Sequence, residues 1–152
     1  MKNKKIQSNH DLTLTLSLKE KPAEVFAAVN NVRGWWSARL KGKSDALDAE
    51  FEFQYENLHY STQRLVEFIP DRRVVWLVTE SRLTFLKKDP AEWTGTRISF
   101  DIEPNGNKTE LRFTHWGLTP GVECYNACHQ GWSHYILHSL KNLITTGSGN
   151  PD

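Results

Sequence analysis

The chain has 152 residues, a formal net charge of +1 and 24% charged residues, a length that suits one domain with a single core. So even a charge balance leaves no basic footprint for nucleic acid, and the longest apolar run, Val74–Val78, is far short of the ~20 residues that cross a bilayer. No apolar segment follows Lys2, Lys4 and Lys5, so a secretory leader is not expected, and a cytoplasmic protein without membrane insertion is.

Residues 1–9 are polar and expected to be disordered. From Leu12 the chain alternates strictly, with Leu12, Leu14, Leu16 and Leu18 on one face and Thr13, Thr15 and Ser17 on the other, the pattern of a half-buried strand. In KPAEVFAAVN, Pro22 suits a first helical turn and Glu24 complements a helix N-terminus; Val25, Phe26 and Val29 form its inner face. Asn30 and Asn31 end this helix, and a second short helical turn carries Trp35 and Trp36.

Strands follow. EFEFQYE alternates Phe51, Phe53 and Tyr55 against glutamates and Gln54. A two-residue turn near Asn57 leads into LHYSTQRLVEFIP, whose facing is ambiguous. Pro70–Arg73 is turn chemistry, and VVWLVTES is a near-continuous apolar strand. Lys87–Gly95 reads as an exposed excursion. TRISFDIEP and TELRFTHWG alternate again around Asn105-Gly106, a hairpin signal. A final helix is expected from Thr119-Pro120 to Thr146, with Thr119 as cap and Gly147 as terminator. About 26 residues at 1.5 Å rise give roughly 40 Å of helix. Stepping 100° per residue places Tyr125, Cys128, Trp132, Ile136, Ser139, Leu140 and Leu143 on one stripe, opposite Gln130, His134, His138 and Lys141.

This order, carried by KPAEVFAAV…GWWS, VVWLVTES, GTRISFDIEP, TELRFTHWGL and GWSHYILHSLKNLITTGSGNP, resembles the START-like (SRPBCC) superfamily. More closely it resembles proteins similar to the C-terminal domain of the activator of the ninety-kilodalton heat-shock protein's ATPase. The resemblance implies an α+β helix-grip (Bet v 1-like) fold over residues 1–152. A curved antiparallel sheet of six to seven strands grips a long C-terminal helix, with two short helices after the first strand. It also implies an apolar cavity between helix and sheet, and much less about chemistry.

Six Trp, seven Phe and four Tyr suit a core and a ligand pocket equally. The expected cavity walls are Trp35, Phe53, Tyr55, Trp76, Phe100, Phe113, His115, Tyr125, Cys128 and Trp132. His115 shares phase with Leu111 and Phe113, so it is either a hydrogen-bonded core histidine or a group that orients a ligand. Glu80 and Arg82 continue the phase of Val74, Trp76 and Val78; they are either an inward ion pair or solvated beyond the strand's end. Gly131, inside the helix, implies a close approach or open space beside Trp132.

Cys124 and Cys128 lie one helical turn apart. Zinc would need two further ligands, with His115 and His129 the nearest, and the plainer reading is two free, buried, reduced thiols. His134 and His138 lack the glutamate of a zincin helix and lie opposite the stripe. No metal and no cofactor are expected. The leading function is binding of an apolar or aromatic, lipid-like small molecule, with a chaperone-associated interaction protein as the alternative. An enzyme of cyclase or hydrolase type would have to use His115 or Glu80, and no nucleophile–base motif supports it.

Overall fold

The alternating leucines of Leu12–Leu18 form strand β1, antiparallel to the last strand of the sheet, with Leu14 opposite Phe113. A computed structural model describes residues 10–152; the expectation for residues 1–9 lies outside these described residues. Helix α1 spans Pro22–Asn30 and opens as its sequence requires, with Pro22 at the first turn and the Glu24 carboxylate accepting from the Lys21 amide at 3.0 Å. Helix α2, Val32–Trp35, carries the tryptophan pair inward.

Strands β2 (Lys41–Gly42), β3 (Glu50–Tyr55), β4 (His59–Ile69), β5 (Arg73–Leu83), β6 (Arg97–Asn105) and β7 (Lys108–Trp116) complete one antiparallel sheet in the order β1-β7-β6-β5-β4-β3-β2. Tyr55 pairs with His59, so the β3–β4 turn has three residues, not two; Glu56 takes a left-handed conformation (φ 51°) at its start. The β4–β5 register slips twice, between Thr62 and Gln63 and between Leu65 and Glu67. The first slip resolves the facing of Glu80 and Arg82. The extra residue, Thr79, reverses the alternation beyond Val78, so Ser81 and Leu83 point inward while Glu80 and Arg82 face solvent. The strand has not ended there; it has bulged, and Arg82 lies over the Tyr60 ring.

The C-terminal helix, α3, runs Tyr125–Trp132, continues as a π-helix over Ser133–Leu140 and ends with Lys141–Thr146. Cys128, Trp132, Ile136, Ser139 and Leu140 are buried and His134, His138 and Lys141 exposed, as the stripe predicts. The start is a correction. The helix begins at Tyr125 and is 22 residues long, because Thr119–Cys124 runs as turns with Val122 donating to Thr119 O and Tyr125 to Val122 O.

Beyond Gly147, whose φ of 89° ends the helix, the tail folds back. Asp152 donates to Trp36 O and accepts from the Ala38 amide, and its carboxylate receives the Tyr135 hydroxyl. Gly149 passes so close to α2 that a Cβ there would sit 2.3 Å from Gly34 O and 2.9 Å from Ser139 O. No side chain fits. Among the described residues no helix is long and apolar enough to cross a membrane.

Candidate functional site

Most of the space between α3 and the sheet is filled. Trp35, Trp36 and Trp76 stack in near-parallel planes, 13–14° apart for the pairs that include Trp35, and Phe100 and Phe113 close the layer beneath them. Trp35 is anchored by its Nε1–H to Val29 O at 3.1 Å. These side chains are buried because β5, β6 and β7 present alternate residues to one face and α2 delivers a tryptophan to the same plane.

The packing fails at one end. Where the first half of α3 passes the β3–β4 hairpin, a cleft of about 280 Å³ remains. Its floor is Trp36 stacked on Phe53 at 4.1 Å. One wall is α3, with Ala127, Cys128, Gly131, Trp132 and Tyr135; the other is the β5–β6 excursion, with Phe85 and Trp93. Tyr55, Leu58 and Phe85, 37%, 42% and 42% exposed, rim the mouth. Gly131 opens the helix wall: a Cβ there would meet nothing within 4 Å. The glycine therefore keeps space, not a close approach.

The excursion is not simply exposed. Leu86 and Trp93 are buried, Trp93 stacked on Trp132 at 5.8 Å. Two glutamates hold it across the start of α3. Glu92 accepts from the amides of Glu123 and Cys124 at 3.0 Å each, immediately before the first turn of α3. Glu123 in turn accepts from the amides of Lys87 and Lys88 at 2.9 Å, which hold its carboxyl below the usual range. A carboxylate at a helix start satisfies amides with no partner inside the helix. Glu92→Ala is expected to cost about 1 kcal/mol, as other cap removals do. It should also speed amide exchange at Glu123 and Cys124, and unchanged exchange there would refute this role.

His115 is a core histidine with every valence satisfied. Trp132 Nε1–H donates to its Nδ1 at 3.1 Å, and Nε2 lies 2.9 Å from Thr96 Oγ1, which itself donates to Trp93 O at 2.6 Å. An indole nitrogen can only donate. Nδ1 must therefore accept, Nε2 carries the proton, and the neutral ring is locked in one tautomer. Burial pushes its pKa down to about 3, with His59 adding a smaller depression. His59 lines the cleft, edge-on to Phe53 and Trp93, with Ser61 Oγ 3.0 Å from Nε2; burial lowers it to about 3 as well. Tyr135 is shifted upward by burial and its Asp152 partner, so its hydroxyl stays protonated. The cleft lining contains no aspartate, glutamate, lysine or arginine.

Of the residues expected to line a cavity, Phe53, Tyr55, Cys128 and Trp132 meet at this cleft. Trp35, Trp76, Phe100, Phe113 and His115 lie in the solid layer beside it, and Tyr125 borders an outer groove with Thr114 and Trp116. Leu58, His59, Phe85, Trp93, Ala127 and Tyr135 also line it without having been singled out, and Trp36 and Gly131 complete it. The signal for Trp93 was weak, a tryptophan amid KKDPAE. Glu80 points away from the site. Cys124 and Cys128, read as free thiols, are joined as a disulfide, with Cα atoms 5.6 Å apart. Early in a helix the i, i+4 spacing falls within the 4.4–6.8 Å that a disulfide spans. Among the described residues no group of three or more His, Cys, Asp or Glu is arranged to hold a metal.

A family model for activator of Hsp90 ATPase homolog 1-like protein matches residues 21–145. The chain belongs to that family. Its match runs from the start of α1 to the last turn of α3, and so contains every residue of the cleft. The fold is shared with the Aha1 dimer from Colwellia psychrerythraea, at 23% identity, covering 92% of this chain and 99% of that one with a TM-score of 0.73. It is shared also with SSP2350 from Staphylococcus saprophyticus, at 14% identity, 93% and 96% coverage and a TM-score of 0.67. CalU16 from Micromonospora echinospora matches at 14% identity over 89% and 76% of the two chains, with a TM-score of 0.60. No curated protein matches the chain.

Proposed function

We propose that this family member binds a small, flat, uncharged molecule in the cleft between α3, the β3–β4 hairpin and the β5–β6 excursion. The observation that carries the reading is an apolar, aromatic-walled cleft of about 280 Å³ without an ionised side chain. A charged ligand would lose hydration there without a partner to replace it. An apolar cavity of about 150 Å³ holds one benzene, so this cleft suits about two fused rings.

Gly131 supplies the test. Gly131→Leu places a side chain into the open space and should cut affinity for a bicyclic aromatic more than about tenfold. Stability should rise, since glycine inside a helix costs about 1 kcal/mol relative to alanine. Titration of a panel of neutral bicyclic ligands, followed by tryptophan fluorescence and chemical shifts, should perturb Trp93, Trp132 and His59 but spare His134 and His138. Equal affinity of the wild type and Gly131→Leu would rule this reading out.

The family's chaperone link supports a second reading, docking on a chaperone, and the exposed apolar rim of Tyr55, Leu58 and Phe85 favours it. Shifts confined to that rim on adding a ninety-kilodalton heat-shock protein, with no ligand response, would select it.

A further inference from the structure

Only three residues separate Cys124 and Cys128, and the Cys128 amide already donates to Cys124 O at 2.8 Å. A cross-link gains by restricting the unfolded chain, and so short a loop in a helical turn restricts little. Its position is more telling. Cys128 lines the aromatic cleft and is 8% exposed, whereas Cys124 is fully buried and absent from the lining. The Cys124 side is covered by the excursion, whose Glu92 accepts the Cys124 amide. One sulfur of the pair faces a route from outside and the other does not.

We propose that Cys124 and Cys128 form a reversible thiol–disulfide couple that exchanges with small uncharged thiols reaching the Cys128 sulfur through the cleft. The attacking thiolate forms a bond to Cys128 Sγ as the Sγ–Sγ bond breaks, and Cys124 leaves as a thiolate that takes a proton from solvent. A second thiol attacks the mixed disulfide, releases the small-molecule disulfide and leaves Cys128 reduced. The protein pair gains two electrons and two protons; two thiols lose them. Exchange is governed by access and by which sulfur is attacked. The route to Cys128 passes Tyr55, Leu58 and Phe85, which favours an aromatic thiol over charged glutathione. That preference rests on the ligand reading above; the couple itself does not.

The full-length protein is oxidised with diamide, treated with benzyl mercaptan or glutathione, quenched with N-ethylmaleimide and weighed intact. The oxidised form should lack two hydrogens and resist alkylation, and the reduced form should take two maleimides. Peptide mapping of the wild type, quenched early, should place the mixed disulfide on Cys128. Benzyl mercaptan should react at least about tenfold faster than glutathione at equal thiolate concentration. Cys124→Ser should trap the adduct at Cys128, whereas Cys128→Ser should form one at least about tenfold more slowly. Alkylation of both cysteines after diamide, or equal adducts on both sulfurs in the wild type, would overturn the couple. If Cys128 is attacked selectively but glutathione matches benzyl mercaptan and no bicyclic ligand binds, the couple stands and the aromatic cleft reading falls.

Discussion

Trp132→Ala is expected to destabilise the protein by about 3–5 kcal/mol, the range for large aromatic truncations in a core. Trp132 is 2% exposed and joins the solid layer to the cleft, its ring centroid 4.7 Å from that of Phe113, 5.1 Å from Trp36 and 5.8 Å from the stacked Trp93. Its loss also strips the donor from His115 Nδ1, which then stays buried without a partner. Trp132→Phe removes the N–H and the five-membered ring but keeps an aromatic ring in the core, so it should cost less than Trp132→Ala and at least the about 1–3 kcal/mol of the orphaned His115 acceptor. His134→Ala, two residues on and on the exposed face, should stay within about 0.5 kcal/mol. Urea melts of the three variants decide it; equal losses for Trp132→Ala and His134→Ala would show that α3 does not grip the sheet through this face.

Acid should unfold the protein well before its carboxylates are fully protonated, because two histidines are held neutral. The pKa of His115 falls from 6.5 to about 3 on folding, chiefly through burial, and that of His59 likewise. A depressed pKa means that between these values the unfolded chain binds protons that the folded chain refuses. Stability is therefore complete above about pH 6.5 and is lost as pH falls towards 3. Each site contributes a slope of up to ~1.4 kcal/mol per pH unit. His115 gives the larger share; protonating Nδ1 would set its N–H against that of Trp132, whereas His59 borders the cleft and is reached by water more easily. Two such sites together remove up to about 4 kcal/mol by pH 5 and about 7 kcal/mol by pH 4, enough to unfold the chain near pH 4 if its total lies at the low end of the usual 5–15 kcal/mol. His115→Gln keeps an acceptor and a donor without a titrating group and should flatten the urea midpoint against pH below 6.5. A wild-type midpoint that does not change from pH 7 to 5 would contradict two histidines held neutral. Trp132→Phe should raise the His115 pKa, visible in its ring-proton titration, since Nδ1 is then free to accept a proton.

The local pattern of the chain determined its elements. Strict alternation in Leu12–Leu18 and Glu50–Tyr55, turn residues at Pro70–Arg73 and Asn105-Gly106, and the i, i+4 burial of Cys128, Trp132, Ile136 and Leu140 are properties of neighbours in sequence. They are legible because backbone periodicity dictates which side chains share a face. The site was legible only in part. A bulge at Thr79 turned Glu80 and Arg82 outward, since one inserted residue reverses every later side chain.

The cleft itself depended on contacts between residues far apart. Trp93, in a polar stretch without periodicity, is buried because Glu92 and Glu123 draw the excursion onto the start of α3, across 31 to 36 positions. The helix starts at Tyr125 and not at Thr119, and the amides just before it are held by a side chain from another loop, Glu92. Whether an aromatic interior is solid or hollow is likewise a matter of packed volume, not of pattern. Trp35, Trp36, Trp76 and Phe100 stack closely enough to fill the centre, and room is left at one end, where Gly131 puts no side chain into the cleft. Composition supplied the rings; tertiary packing decided where they stop touching.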